Sequence, residues 1–234
     1  MTRFAIGAYA LVAYALFLAT VLLMMGFLLG FGPAVIDAGP AAPLAVAIPV
    51  NLGLIALFGV QHGVMARKAF KERLTRFIPQ AAERSTFVLA ASLILIAIAF
   101  AWRPMPQPIW SAAPRWAPVV TGLAAGGWVV LVGSTFILDH FAQFGLRGTV
   151  LPPLRYDAFR TPLLYRWVRH PQYLGLLMAF WFTPSLTLGR LLFNAGMSAY
   201  ILVGVRYEER DLIARFGDSY RDYRNRVRML FPLP

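Results

Sequence analysis

The stretch Tyr173–Val205, YLGLLMAFWFTPSLTLGRLLFNAGMSAYILVGV, decides how often this chain passes through a membrane. A transmembrane helix takes about 20 apolar residues, so the stretch is too long for one span and just long enough for two short ones. Pro184 lies near its middle, with Ser185, Thr187, Gly189 and Arg190 beside it, and proline among such residues makes a turn. The stretch therefore reads as a tight helical hairpin, Tyr173–Thr183 and Leu191–Val205, that does not fully cross the bilayer.

Four further apolar segments lie upstream, Phe4–Phe31, Leu44–Met65, Ser85–Trp102 and Trp116–Leu138, each of spanning length. Of the 234 residues, 59% are hydrophobic and 14% charged, whereas a soluble domain has roughly 45–50% and about 25%. The fold class expected is all-α, a polytopic membrane helical bundle. It has four long spans within 1–138, then the hairpin and a cytoplasmic extension within 139–234, all in one domain. Arg3 opens the first apolar segment with no small-residue cleavage site, which predicts an uncleaved span rather than a leader.

Basic residues set the orientation. The loop Ala66–Arg84 carries Arg67, Lys68, Lys71, Arg73, Arg76 and Arg84, and the region Asp139–His170 carries Arg147, Arg155, Arg160, Arg166 and Arg169. The tail after Val205 adds seven more arginines, while the other connections hold only Arg103, Arg115 and Arg190. Positive loops stay inside, so both termini are expected in the cytoplasm, which requires an even number of crossings and hence the hairpin. Trp102, Trp110 and Trp116 then fall near the outer interface. Phe70, Leu74 and Phe77, at helical spacing among basic residues, predict an amphipathic helix on anionic lipid headgroups.

The net charge of +12 is spread between apolar segments, which argues against a nucleic-acid partner. The chain has no cysteine, so disulfides, thiolate nucleophiles and cysteine-ligated metals are excluded. His62, His140 and His170 are far apart and match no HxxxH or HExxH spacing, so no metal site is expected.

Polar groups at the membrane boundary are costly and mark candidate sites. Arg169-His170-Pro171-Gln172-Tyr173-Leu174-Gly175 stands at the head of the hairpin, and Glu208-Glu209 at its far end. Pro171 suits a first helical position, where free backbone N–H groups and the helix dipole favour an anion. Arg169 adds a fork suited to a carboxylate. Glu208 or Glu209 would neutralise an amine, and since adjacent helical positions differ by about 100°, at most one is expected to face the site. The ligand suggested carries a carboxylate, an amine and a further positive charge. Asp139-His140 form a candidate pair for proton handling, with His140, Gln143 and Arg147 on one face if their helix continues. His62, beside Gln61, ends the second span.

The RHPxYxG heptapeptide, the Glu pair, and Phe216-Gly217 with Tyr220 and Tyr223 resemble the isoprenylcysteine carboxyl methyltransferase and phospholipid N-methyltransferase superfamily of integral-membrane enzymes. Gln61-His62-Gly63-Val64-Met65-Ala66-Arg67, Glu83-Arg84-Ser85-Thr86, Trp102-Arg103-Pro104-Met105 and His140-Phe141 resemble its branch of bacterial methanethiol S-methyltransferases, over nearly all of Gln61–Pro232. Asp139 and Ala142-Gln143 stand where that branch is expected to have Asn and Glu-Leu. The resemblance implies S-adenosyl-L-methionine as cofactor, leaving as S-adenosyl-L-homocysteine, held by Arg169, His170, Pro171, Tyr173, Leu174, Gly175, Glu208 and Glu209. It implies methyl transfer to methanethiol, giving dimethyl sulfide, with His140, Asp139 and His62 as candidate catalytic residues.

The partners expected are then a small volatile thiol and the lipid bilayer, in a multi-pass protein of the bacterial inner membrane. A prenyl-cysteine carboxylate or a phospholipid amine as acceptor, and a non-enzymatic membrane protein, remain the alternatives.

Overall fold

The computed structural model of the chain describes residues 2–40, 42–154 and 159–231. Arg155 and Pro232, named above, lie outside the described residues. The helices are α1 (Arg3–Leu29), α2 (Leu44–Met65), α3 (Lys68–Leu74), α4 (Glu83–Ala101), α5 (Ala117–Leu138), α6 (His140–Gln143), α7 (Pro171–Trp181), α8 (Leu188–Phe216) and α9 (Asp218–Arg226). Among the described residues, five segments are long and apolar enough to cross a bilayer: α1, α2, Gln80–Ala101, α5 and α8. The protein is a multi-pass helical membrane protein. Val12, Leu22, Val60 and Val129 are 65%, 65%, 64% and 72% exposed, which suits helices whose outer faces meet lipid rather than water.

The boundaries follow local chemistry. Thr2 caps α1 by accepting from the Ala5 N–H at 3.3 Å, and Gly30 closes it at φ 89°, a left-handed conformation that glycine adopts without penalty. Prolines sit at the first turns of α5 and α7, where their missing N–H costs nothing. A helix forms where the amphipathic one was predicted, α3, but it ends at Leu74, so Phe77 lies beyond it; Phe70 and Leu74 line a shallow hollow with Arg73 and Phe77.

The chain divides into two compact units. The first comprises Met1–Ser111, His140–Leu154 and Ser185–Phe193, and the second Ala112–Asp139, Arg155–Pro184 and Asn194–Pro234. In the first unit α1 and α2 both pack on α4. Phe27, Trp102 and Phe193 form a buried aromatic triangle with ring centroids 5.7–6.1 Å apart. Asn51, fully buried, donates from Nδ2 to the Arg103 carbonyl at 2.8 Å and accepts from the Arg103 N–H at 2.9 Å, so a polar side chain inside an apolar helix is satisfied twice.

Two short strands modify the all-helical expectation. β1 (Pro108–Ser111) pairs antiparallel with β2 (Ser185–Thr187), the latter being the turn of the predicted hairpin. That turn is clamped by charge. Arg190 Nε donates to Asp37 Oδ2 at 2.5 Å and its Nη1 to the Leu28 carbonyl at 2.8 Å, while Thr187 Oγ1 donates to Asp37 Oδ1 at 2.6 Å.

In the second unit α7 lies against α5. A Cβ at Gly175 would come within 2.5 Å of the Leu131 nitrogen and 2.6 Å of the Gly127 carbonyl, so the two backbones touch through glycines on both sides. Pro184 accepts from the Ala112 N–H at 2.8 Å, just ahead of α5. α7 has 11 residues, the length expected of the hairpin's first arm, and is too short to cross a bilayer as a helix. Trp181 Nε1 donates to Ser198 Oγ at 2.9 Å and Asn194 Nδ2 to the Phe180 carbonyl at 2.6 Å, tying α7 to α8. The second arm is longer than predicted. α8 has 29 residues, about 43 Å at 1.5 Å per residue, against a hydrocarbon core of about 30 Å. Its helix continues through Glu208 and Glu209 because no proline or glycine interrupts Arg206–Phe216.

Candidate cofactor site

His170 stands at φ −126°, ψ 67°, and Pro171 starts α7 directly after it. The segment before it is fixed by the returning tail. Val168 forms a parallel bridge with Arg228, the Arg169 N–H donates to the Arg228 carbonyl at 2.8 Å, and the His170 N–H donates to the Met229 carbonyl at 3.2 Å. Gly217, at φ 57°, makes the break between α8 and α9 that turns the tail back.

These supports hold a cluster of charged side chains. Arg169 Nε donates to Glu209 Oε1 at 2.7 Å, and its Nη1 donates to the carbonyls of Val227 at 2.5 Å and Arg224 at 3.0 Å. His170 Nε2 lies 3.1 Å from Glu209 Oε1 and its Nδ1 3.8 Å from Glu208 Oε2. Tyr173 Oη donates to Glu208 Oε2 at 2.9 Å, and Arg224 Nε approaches Glu209 Oε2 at 3.5 Å. Arg169, His170, Tyr173, Glu208 and Glu209, drawn from segments some 40 residues apart, thus meet.

The expectation that at most one glutamate faces the cluster is corrected. Both do, because the two nitrogens of the His170 ring point to neighbouring positions of α8. Their environments differ: the Glu209 side chain is 10% exposed and committed to Arg169 and His170, whereas that of Glu208 is 45% exposed. Pro171 and Gly175 are buried and Leu174 is half-buried. Gly175 faces α5, so packing explains its need for hydrogen in place of a side chain.

The wall beside the cluster was not assigned roles from sequence. Phe159, Tyr220 and Tyr223 form an aromatic group with centroids 5.1–5.8 Å apart. Tyr223 Oη donates to the Tyr165 carbonyl at 2.6 Å, and burial pushes its hydroxyl up to about 12 against the opposing pull of Arg169. Tyr220 is buried, and its hydroxyl has no hydrogen-bond partner among the described residues. The spacing of the two tyrosines, three residues apart on α9, was the available signal.

In the first unit, His140 is buried, its Nε2 2.8 Å from Tyr14 Oη, in a cage completed by Phe141 and Phe144, with Phe17 stacked on Phe144. His62 packs between Phe58 and Phe87, 5.3 and 4.7 Å away. The expected common face of His140, Gln143 and Arg147 does not form. α5 stops at Leu138, Asp139 is extended, and α6 is a single turn closed by Gly145 at φ 83°. A Cβ at Gly145 would meet Ser85 Oγ at 2.7 Å, so a side chain has no room there against α4. Arg147 instead donates to the Pro152 carbonyl at 3.3 Å.

The chain matches the NnrU protein family over residues 51–230. It is 48% identical to methanethiol S-methyltransferase 2 of Bradyrhizobium diazoefficiens, over 98% of this chain and 91% of that protein. It is 44% identical to the methanethiol S-methyltransferase of Mycobacterium tuberculosis, over 100% of this chain and 98% of that protein. The chain belongs to the methanethiol S-methyltransferase family. A more distant similarity, 27% identity over 70% of this chain and 62% of the relative, links the family to nurim of Xenopus laevis. No solved structure matches the chain.

Proposed function

We propose that this protein methylates methanethiol to dimethyl sulfide with S-adenosylmethionine as methyl donor. The single observation that carries the reading is the meeting of Arg169 and His170 with Glu208 and Glu209, in a chain 48% identical to a methanethiol S-methyltransferase over nearly its full length. The donor set fits the cofactor. A guanidinium suits its carboxylate, a half-exposed glutamate suits its ammonium, and the buried Tyr220 hydroxyl has no hydrogen-bond partner among the described residues.

Arg169 and the first turn of α7 would hold the carboxylate, Glu208 the ammonium, and Tyr173 and Leu174 the flank. Pro171 and Gly175 set the helix start and the close contact with α5. Glu209 and His170 keep Arg169 in place. When bound, S-adenosylmethionine supplies an electrophilic methyl group on a sulfonium centre. A simple alkyl thiol is mostly protonated near neutral pH, and its thiolate is the nucleophile. His140, oriented by Asp139, takes up that proton in this reading, with His62 as the second candidate.

The same reading places the chain in the bacterial inner membrane with both termini cytoplasmic, supported by the arginines and lysines of Ala66–Arg84 and of the tail. Purified protein in detergent, given cofactor and methanethiol, is expected to release dimethyl sulfide detectable by headspace gas chromatography. A protein that methylates none of methanethiol, ethanethiol, a prenyl-cysteine or a phospholipid would overturn the proposal.

A further inference from the structure

Tyr220 stands out among the buried polar groups of the second unit. It is 1% exposed, and its hydroxyl finds no partner among the described residues. Leaving such a group unsatisfied is costly, and native structures seldom do so without a reason. Its neighbour Tyr223 shows the ordinary solution, donating to the Tyr165 carbonyl at 2.6 Å. The Tyr220 ring is held by edge contact with Phe159 at 5.5 Å and by Tyr223 at 5.8 Å, so the hydroxyl is not swung aside to find a partner.

We propose that the Tyr220 hydroxyl is a binding group for the carboxylate of the methyl donor, left without a protein acceptor because the ligand supplies one. This rests on the cofactor reading above and extends it to a residue outside the RHPxYxG and Glu-Glu elements. Burial, reinforced by the charge of Glu209 and opposed by that of Arg169, keeps the phenol protonated, so it has a hydrogen to donate in the working range of pH. Arg169 donates to the carbonyls of Arg224 and Val227 at the end of α9, the helix that carries Tyr220, so the guanidinium is anchored on the same element. A phenol donor beside a guanidinium suits an anion, whereas the ammonium is left to Glu208.

Tyr220→Phe keeps the ring and removes only the hydroxyl. Calorimetry of the full-length protein in detergent compares S-adenosylhomocysteine, which has the carboxylate, with 5′-methylthioadenosine, which lacks the whole amino-acid end. The variant is expected to bind S-adenosylhomocysteine about tenfold more weakly and methylthioadenosine as wild type does. Its melting temperature without ligand is expected to equal or exceed that of wild type, because an unsatisfied buried group is gone. Tyr223→Phe is the contrasting variant: it lowers the melting temperature and leaves the ratio of the two affinities unchanged.

Wild-type affinity of Tyr220→Phe for S-adenosylhomocysteine would overturn the proposal. So would an equal loss for both ligands with a lower ligand-free melting temperature, which marks a structural hydroxyl. Wild-type protein that binds neither compound would instead overturn the cofactor reading itself.

Discussion

Arg169 is the residue on which the cluster turns, with three hydrogen bonds from one guanidinium to Glu209, Val227 and Arg224. Glu209 is its buried counter-charge, and removing one partner of a buried pair strands the other. Glu209→Ala is therefore expected to destabilise the protein by roughly 3 kcal/mol, read as a lower melting temperature in detergent. Glu208→Gln, at a half-exposed position, is expected to leave the melting temperature nearly unchanged while weakening S-adenosylhomocysteine binding in calorimetry. Equal loss of stability in both variants would contradict the division of roles.

Tyr223 adds a pH dependence. Its folded-state value of about 12 lies above the ordinary 10.0, so its stabilising contribution is complete below pH 10 and is lost as pH rises towards 12. Melting temperatures between pH 9 and pH 11.5 are expected to fall more steeply for wild type than for Tyr223→Phe. The heptapeptide and the glutamate pair were legible in the sequence because charge beside hydrocarbon is conspicuous. The tail carbonyls and Tyr220 were not, since backbone acceptors and an unpaired hydroxyl leave no trace in composition.

Among the elements, the contact between α5 and α7 is the most demanding. Gly127 and Gly175 face each other so closely that a Cβ on Gly127 would lie 2.6 Å from the Ala179 nitrogen and the Gly175 carbonyl. Either Gly127→Ala or Gly175→Ala is expected to cost about 1–3 kcal/mol, because backbone atoms cannot step aside as a flexible side chain can. Gly122→Ala on the same α5 meets nothing within 4 Å and is expected to be neutral. Melting of the three variants in one detergent tests this ordering.

The hairpin itself was legible from length, Pro184 and charge parity. The length of its second arm was not. Helix propensity carries α8 on through polar residues to Phe216, past the point where hydropathy drops. The turn became a strand because β1 supplied a partner, a long-range pairing that no local pattern announces.

At the scale of the whole molecule, topology is the quantity to test. A fluorescent protein fused after the C-terminus is expected to fold and fluoresce, as it does in the cytoplasm. Alkaline phosphatase inserted after Trp110 is expected to be active, as it is only outside. An inactive phosphatase at that position would reverse the orientation argued from the basic loops.

The sequence alone determined that this is a multi-pass helical membrane protein, because runs of apolar residues of spanning length have no other stable home. It also marked two charged patches as a candidate site, because ionisable groups at a membrane boundary need compensation. Only the tertiary structure decided that both glutamates meet one histidine, that Gly175 serves a helix contact, that the helix after Asp139 stops, and that Tyr220 finds no partner among the described residues. Those outcomes depend on which backbones approach within hydrogen-bond range, and that is a property of packing between segments far apart in the chain.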